Sequence, residues 1–513
     1  MQRGLAAALL WLGAGFLLYA LYRNRDFFHD DAYVTLRYAR NLALGHGLVW
    51  NPGERVEGYS SFVATVLIAL LGAAGLDWVV AARAVNLAAL ALLALLLGRF
   101  LAGEARRAGG SPVAAAAPVA LTLAALPLAI WVLGGLESPL FALLCTASTL
   151  QVIALLRGQG GAARAAGAGV LLGISVLTRP DGGVLLGLAG LCLLAQAAAR
   201  RGRGGRRLLL VVGSAALVLL PHALWRLAYY GAWLPNSVVA KTLGLPAELR
   251  EGGWSYVWSF VRTPPYWPVL AAIGALLAWP SRSARWAVAY PVACVALYAG
   301  LVVCAGGDHM PALRVMVPLI PLCALVLGLG LCRVLAPEAT GRALACAGLC
   351  AALALAQLGS FEPRGEDPAA WYGARIGRHI AERWPEGTLV ALNTAGSTPF
   401  FAPRYRYLDM LGLNDPEIAH RRLEGVQTPW QRLPGHAKGD GRYVLERDPD
   451  VIVFGPAHGV PVGNGWFLTA FEIAHDPALA ARLADRYELV REAVPGLEET
   501  AFIYYRRRGG RAP

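Results

Sequence analysis

The chain reads as a polytopic α-helical membrane protein carrying an α/β domain outside the membrane at its C-terminal end. Three observations lead there. Of 513 residues, 57% are hydrophobic and only 15% charged, and the mean hydropathy is +0.49, which excludes an ordinary soluble globule. Apolar runs of roughly 18 to 23 residues, the length that crosses hydrocarbon, recur over the first 360 positions. Finally, much of the basic excess behind the net charge of +13 sits in short loops between those runs. That is the mark of cytoplasmic loops and not of a nucleic-acid surface.

Taken in order, the spans fall at about 5–22, 79–101, 113–133, 139–156, 165–178, 183–199, 208–228, 267–280, 286–305, 312–334 and 342–360. The first, after Met1-Gln2-Arg3, lacks a convincing small-residue cleavage site and reads as an uncleaved signal anchor. The basic loops are Arg106-Arg107, Arg157 to Arg164, Arg200 to Arg207, Arg282 to Arg285 and Arg333 to Arg342. One segment tests the scheme: Ser61 to Gly75 is apolar for about 15 residues only, short for a span. Were it to cross, the Arg106-Arg107 loop would fall outside and every later loop would invert. Read as an interfacial helix, it leaves all five basic loops inside. Eleven spans follow, with the N-terminus in and the C-terminus out. The chain divides into a membrane module, 1–360, whose first external loop is 23–78, and a tail domain, 361–513.

The loop 23–78 holds His29-Asp30-Asp31-Ala32-Tyr33 ahead of an expected helix, Ala32 to Ala43. Two adjacent carboxylates at a membrane boundary are costly to hold. One Asp can cap the helix that follows; capping leaves the other unexplained. Along the helix Tyr33, Arg37 and Arg40 share a face at i, i+4, i+7. Arg37 either serves an anionic or polyhydroxylated ligand or pairs with Asp30 or Asp31. Gly45-His46-Gly47 and Asn51-Pro52-Gly53 then hold the loop in a defined path.

The remaining external loops carry Glu137 after two glycines, Arg179 and Asp181 around Pro180, and Asn236 in Pro235-Asn236-Ser237. Lys241 and Lys438 are the chain's two lysines; Lys241 stands where an ammonium meets a phosphate as a point charge. Asp308, His309 and Arg314 flank the tenth span, with Arg314 either binding substrate or snorkelling to headgroups. Each charge alone reads as a solvated helix end. Together they gather at one face, and they played no part in setting the topology. All eight cysteines lie in or beside apolar runs and none in the tail, so no disulfide framework holds the tail. In the tail, Ala369 to Trp384 reads as an amphipathic helix, and Thr388 to Leu392 and Val451 to Phe454 as strands.

The stretches DDAYVTLRYARN, GHGLVWNPGERVEGYSS, GGLESPLF, LTRPDGG, WLPNSVVAKT, GGDHM and DMLGLND, in this order, resemble the GT-C superfamily of polyprenyl-phosphate-dependent membrane glycosyltransferases. Within it the chain looks most like the terminal arabinofuranosyltransferases of actinobacterial cell walls and their uncharacterised relatives. The resemblance implies Asp30 or Asp31 as the catalytic carboxylate and a substrate site on the external rim. His29, Tyr33, Arg37, Glu137, Arg179, Asp181, Asn236, Lys241, Asp308, His309 and Arg314 are the binding candidates there. It further implies a polyprenyl-phosphate sugar donor in the bilayer, a glycan acceptor helped by the tail, and transfer at the outer face of a bacterial cytoplasmic membrane. Lys241, Arg37 and Arg179 are the expected cations for the leaving phosphate. No cofactor is required by the sequence; paired acids could hold a divalent ion, but no full ligand set is visible. The rivals are a transporter or flippase of lipid-linked sugars, which would place charges near mid-membrane, and a non-catalytic envelope scaffold.

Overall fold

The computed structural model describes residues 1–513 except 200–203, 280–284, 361, 427, 429, 462–472, 474–475, 498–499 and 511–513. Each of the eleven apolar runs is helical. Among the described residues, seven helices, beginning with α1 (Gln2–Arg23), are long and apolar enough to cross a membrane. Val113–Leu123 and Leu126–Leu133, bent by 47° at their junction, make an eighth if taken as one span. The other three runs are the shorter helices Ala162–Thr178, Trp267–Ala278 and Leu319–Val334. Parts of the basic loops at 200–207 and 282–285 lie outside the described residues.

Small residues let the helices meet backbone to backbone, as packing without a hydrophobic driving force demands. A Cβ on Gly13 would lie 2.7 Å from the Ala120 carbonyl oxygen, and one on Gly330 2.5 Å from that of Gly274. The bundle has two chemically distinct ends. At one, Gln2 Nε2 donates to the Pro337 carbonyl (2.8 Å), the Ser111 amide to Leu335 (2.7 Å), and Arg157 pairs with Glu104 (2.7 Å). These contacts gather the loops that contain Arg106-Arg107, Arg157 and Arg333. At the other end, the His29 amide bonds the Gly134 carbonyl (3.2 Å), Trp131 Nε1 that of Pro311 (3.1 Å), and the Asn236 amide that of Glu57 (2.8 Å). These three basic loops and the motif loops therefore sit at opposite ends.

Helix α2 spans Asp30–Ala43, two residues earlier than expected. Its cap is His29, whose Nδ1 accepts from the Asp31 amide (3.2 Å). An imidazole in extended backbone does the capping, and both acids fall in the first turn, where the helix dipole favours negative charge. The expected interfacial segment is α3 (Phe62–Ala73), about 18 Å long at 1.5 Å per residue. Trp267–Ala278 also has 12 residues, so length does not set α3 apart and the loop charges alone carry that reading.

The tail contains the helix Pro368–Arg383, capped by Asp367, and a five-stranded sheet. Its strands are β1 (Leu389–Leu392), β2 (Arg406–Asp409), β3 (Val451–Val453), β4 (Tyr487–Glu492) and β5 (Phe502–Arg507), in the order β2-β1-β3-β5-β4. β1 is parallel to β2 and β3; β5 runs antiparallel to β3 and β4. The apolar runs at 389–392 and 451–453 are the buried central strands that such a sheet requires.

The tail and the loop 23–78 share one core: Val34, Tyr38, Trp50 and Tyr59 pack with Ile376, Val390 and Tyr407. Polar latches run through it. Arg37 is 1% exposed and donates to the carbonyls of Trp50 (2.6 Å) and Pro399 while its guanidinium lies over the Trp50 and Tyr407 rings. Arg40 donates to the Phe400 carbonyl (2.8 Å), and Asn51 exchanges two bonds with the Tyr407 backbone. Arg37 is thus no partner of Asp30 or Asp31. It binds carbonyls because the Pro399 segment lies across its face of α2. Replacing Arg37 by Ala removes a planar donor fork from buried carbonyls; limited proteolysis of membrane-inserted protein should then cleave the tail faster than in wild type. An unchanged cleavage rate would contradict this latch.

Candidate active site at the junction of bundle and tail

Two cavities meet where α2 enters the junction. The larger, ≈ 430 Å³, is walled by Gly58–Ser61, the rim residues Glu137, Arg179 and Asp181, and the apolar Leu301, Val302 and Ala305 of the helix Arg285–Ala305. The smaller, ≈ 260 Å³, is walled by His29, Asp30, His309, His436 and the tail residues Asp367, Asn393, Thr394, Gly455 and Pro456. Asp31, Lys241, Leu413 and Pro434 line both. Asp31 and Lys241 therefore stand at the neck.

The adjacent acids have different surroundings. Asp30 is 5% exposed, and its carboxylate accepts from the Gly396 amide (3.2 Å), the Ser397 amide (2.8 Å) and Ser397 Oγ (2.5 Å). Burial still pushes its pKa up to about 6, against the lowering effect of the Ser397 bonds. Gly396 permits this approach, because a Cβ there would overlap Asp30. Asp31 has no side-chain hydrogen bond or ion pair among the described residues. Burial would raise it too, but the charges of His29, Lys241, His309 and Arg314 prevail and hold it below the usual carboxylate range. Asp31 is the ionised, uncommitted member of the pair.

The rim cations divide in the same way. Arg179 is held between Glu137 (2.9 Å) and Asp181 (2.9 Å), and Tyr298 Oη donates to Asp181. Arg314 pairs with Asp308 (2.8 Å), whose pKa falls to about 2: burial opposes the shift, and Arg314, His309 and Lys241 outweigh it. Both guanidiniums are thus neutralised by their own acids. Lys241, near the end of the short helix Asn236–Thr242, has no acid partner among the described residues. It is the free positive charge at the neck.

Several sequence expectations need correction. Tyr33 faces Phe28, Phe400 and Phe401 and lines neither cavity. Arg37 is absent from both linings for the reason given above. Asn236 turns its amide to the carbonyls of Gly412 (2.8 Å), Leu413 (3.0 Å) and Asp415 (3.2 Å), so it fixes the DMLGLND loop. Its neighbour Ser237 lines the larger cavity in its place, with a buried Oγ that has no partner. His29 Nε2 lies 3.7 Å from Asp367; with Nδ1 an acceptor, Nε2 carries the ring proton of the neutral tautomer. His309 stacks edge-on to His436 (4.8 Å between centroids), and burial first, then the neighbouring His309 charge, drives His436 down to about 3. The residues missed from sequence are Asp367, Asn393, Thr394, His436, Gly455 and Pro456. The signal for four of them was present, because they directly follow the two runs read as strands.

Among the described residues, no group of three or more His, Cys, Asp or Glu is placed to hold a metal ion.

A domain of unknown function, DUF8728, matches residues 364–508. The chain is 29% identical to the terminal beta-(1->2)-arabinofuranosyltransferase of Mycobacterium tuberculosis over 61% of its length and 54% of that protein. It is 28% identical to that of Corynebacterium glutamicum over 60% and 48%. The matched stretch thus spans about half the length of these relatives. Among solved structures, ArnT from Cupriavidus metallidurans bound to undecaprenyl phosphate superposes over 98% of both chains, with a TM-score of 0.61 at 15% identity. The fold is the one that the motif order implied.

Folded Asp30 binds its proton more tightly (about 6) than the unfolded carboxyl does (3.8). Its contribution to stability is therefore present below the unfolded value and is lost as pH rises to about 6. The melting-temperature difference between wild type and Asp30→Asn should shift against wild type over that window. A pH-independent difference would show that Asp30 is not raised.

Proposed function

We propose, for a chain that shares its fold with the GT-C membrane glycosyltransferases, that it moves a sugar from a polyprenyl-phosphate donor to a glycan hydroxyl. Transfer takes place on the outer face of a bacterial cytoplasmic membrane. The observation that carries this reading is the neck. A lone carboxylate and a lone ammonium stand there between a chamber with an apolar membrane-side wall and a chamber built by the tail. The arabinofuranosyltransferase relatives support a pentofuranose as the sugar. Eleven spans with the Glu104–Arg157 end inside put the neck and tail outside, as the positive-inside rule favours.

The chemistry follows from the two charges. The anomeric C–O bond to phosphate breaks, giving an oxocarbenium-like transition state, and the acceptor oxygen forms the new bond as its proton leaves. A carboxylate held below its usual range is a weak base at rest and a strong electrostatic partner. Asp31 first stabilises the developing positive charge and accepts the hydroxyl hydrogen bond. It takes the proton as the acceptor oxygen bonds to carbon. The departing phosphate needs a cation, and among the described rim residues Lys241 is the one not already neutralised. The prenyl chain lies along the Leu301, Val302 and Ala305 wall, so its binding positions the reacting phosphate. Asp30 acts through Ser397 by holding the tail against α2; it is a positioning residue.

A transporter would carry its uncommitted charges at mid-membrane, whereas these sit at one end of the bundle under the tail. A scaffold would tolerate the loss of Asp31.

Asp31→Asn should lower transfer by about 10²-fold or more while donor binding and membrane insertion persist. Near wild-type turnover with purified lipid donor would refute the mechanism. Lys241→Ala removes a charge-assisted contact and should weaken donor binding by roughly 10- to 100-fold. Unchanged donor affinity would take Lys241 out of the site.

A further inference from the structure

The sheet of the tail reverses direction next to Asp31. From β1 the chain passes through the helix Ser397–Phe401 to β2 on one side. From β2 it crosses to β3 on the other side of β1; the chain then forms the edge strand β4 and returns as β5 between β3 and β4. The gap between the carboxyl ends of β1 and β3 is therefore a topological switch point, the place where open α/β sheets leave a ligand crevice. Asn393, Thr394 and Ala395 follow β1, and Gly455 and Pro456 lie just past β3; these residues wall the ≈ 260 Å³ chamber whose neck holds Asp31.

Asn393 is 6% exposed. Its Oδ1 accepts from the Gly455 amide (3.2 Å), which fixes the orientation of the amide. Its Nδ2 is buried with no partner among the described residues. A buried donor left unmade is costly, and here it belongs to a residue of the chamber wall. The remaining chemistry defines what fits. Asp30, Asp31 and Asp367 line the chamber, and Lys241, at the neck, is the one lysine or arginine among the described lining residues. His29, His309 and His436 complete the polar lining. Away from Lys241 such a wall disfavours a phosphate and offers acceptors, imidazole groups and one amide donor to hydroxyl groups.

We propose that this chamber is a binding subsite for a neutral, hydroxyl-rich sugar ring, held by Asn393 at the β1/β3 switch point with its hydroxyl directed to the neck. Naming this ring as the end of the glycan acceptor rests on the transferase reading; the binding of a neutral sugar does not.

Saturation-transfer NMR on the full chain in nanodiscs tests it, using a neutral arabinofuranosyl oligosaccharide and the same oligosaccharide with a terminal phosphate monoester. Wild type should contact the terminal ring of the neutral probe and prefer it over the phosphorylated one. Asn393→Ala should weaken that binding by about tenfold, and Thr394→Trp, which fills the chamber, should abolish it. Binding of undecaprenyl phosphate should stay within about twofold of wild type in both variants, which reports that they fold. No binding of the neutral probe, a preference for the phosphorylated probe, or unchanged affinity in both variants would overturn the proposal. The wild-type preference decides even where a variant fails to fold. Binding as expected without transfer from any polyprenyl-phosphate sugar would sink the transferase reading alone. Transfer with an acceptor KM unmoved by both variants would sink the subsite alone.

Discussion

The buried Asp30 carboxylate, receiving three hydrogen bonds from Gly396 and Ser397, is the constraint on which the site depends. It joins the first turn of α2 to the tail at the point where β1 hands over to the next helix. An ionised carboxylate so enclosed is tolerable only with several donors around it, and those donors come from a segment about 366 residues away. The same contact that satisfies Asp30 therefore closes the tail over α2 and creates the chamber behind Asp31. Arg37, Arg40 and Asn51 extend the seam along α2 and β2. The site is not a pocket in either part; the docking of the two makes it.

Charge neutralisation sorts the rim in the same way. Glu137, Arg179 and Asp181 form a closed group, as do Asp308 and Arg314. Pairs of this kind fix loop ends and contribute a field but no free valence. Among the described rim residues two charges have no ion-pair partner, the carboxylate of Asp31 and the ammonium of Lys241, and both line the neck. For the proposed reaction lysine suits that place, because a flexible ammonium can follow a leaving phosphate, whereas a guanidinium fork locked to carbonyls or carboxylates cannot.

Much of this was legible in the sequence. The eleven apolar runs are helices, and the segregation of three of the basic loops from the motif loops appears as the two ends of the bundle. The strands at 389–392 and 451–453 fall where apolar runs were bounded by turn residues. What the sequence left open was direction. Tyr33, Arg37 and Arg40 do share a face of α2, but that face meets the tail, and periodicity does not reveal what a face meets. Asn236 and Ser237 are neighbours with exchanged roles for the same reason. Nor did Asp30 and Asp31 differ on paper; they differ because Ser397 reaches only one of them. The cap of α2 was missed because His29 took the place that an Asp usually fills.

The claim that the two adjacent aspartates divide into a buried anchor and an ionised reaction centre is tested most directly by infrared titration of the carboxyl bands. Wild type would be compared with Asp30→Asn and Asp31→Asn. Asp409 also titrates at about 6 and Asp308 at about 2, so the bands are read from difference spectra. The account predicts that wild type minus Asp30→Asn isolates one protonated carboxyl titrating at about pH 6, and wild type minus Asp31→Asn one carboxylate surviving below pH 3.8. Two carboxyls titrating together at ordinary values, or the assignments reversed, would contradict it.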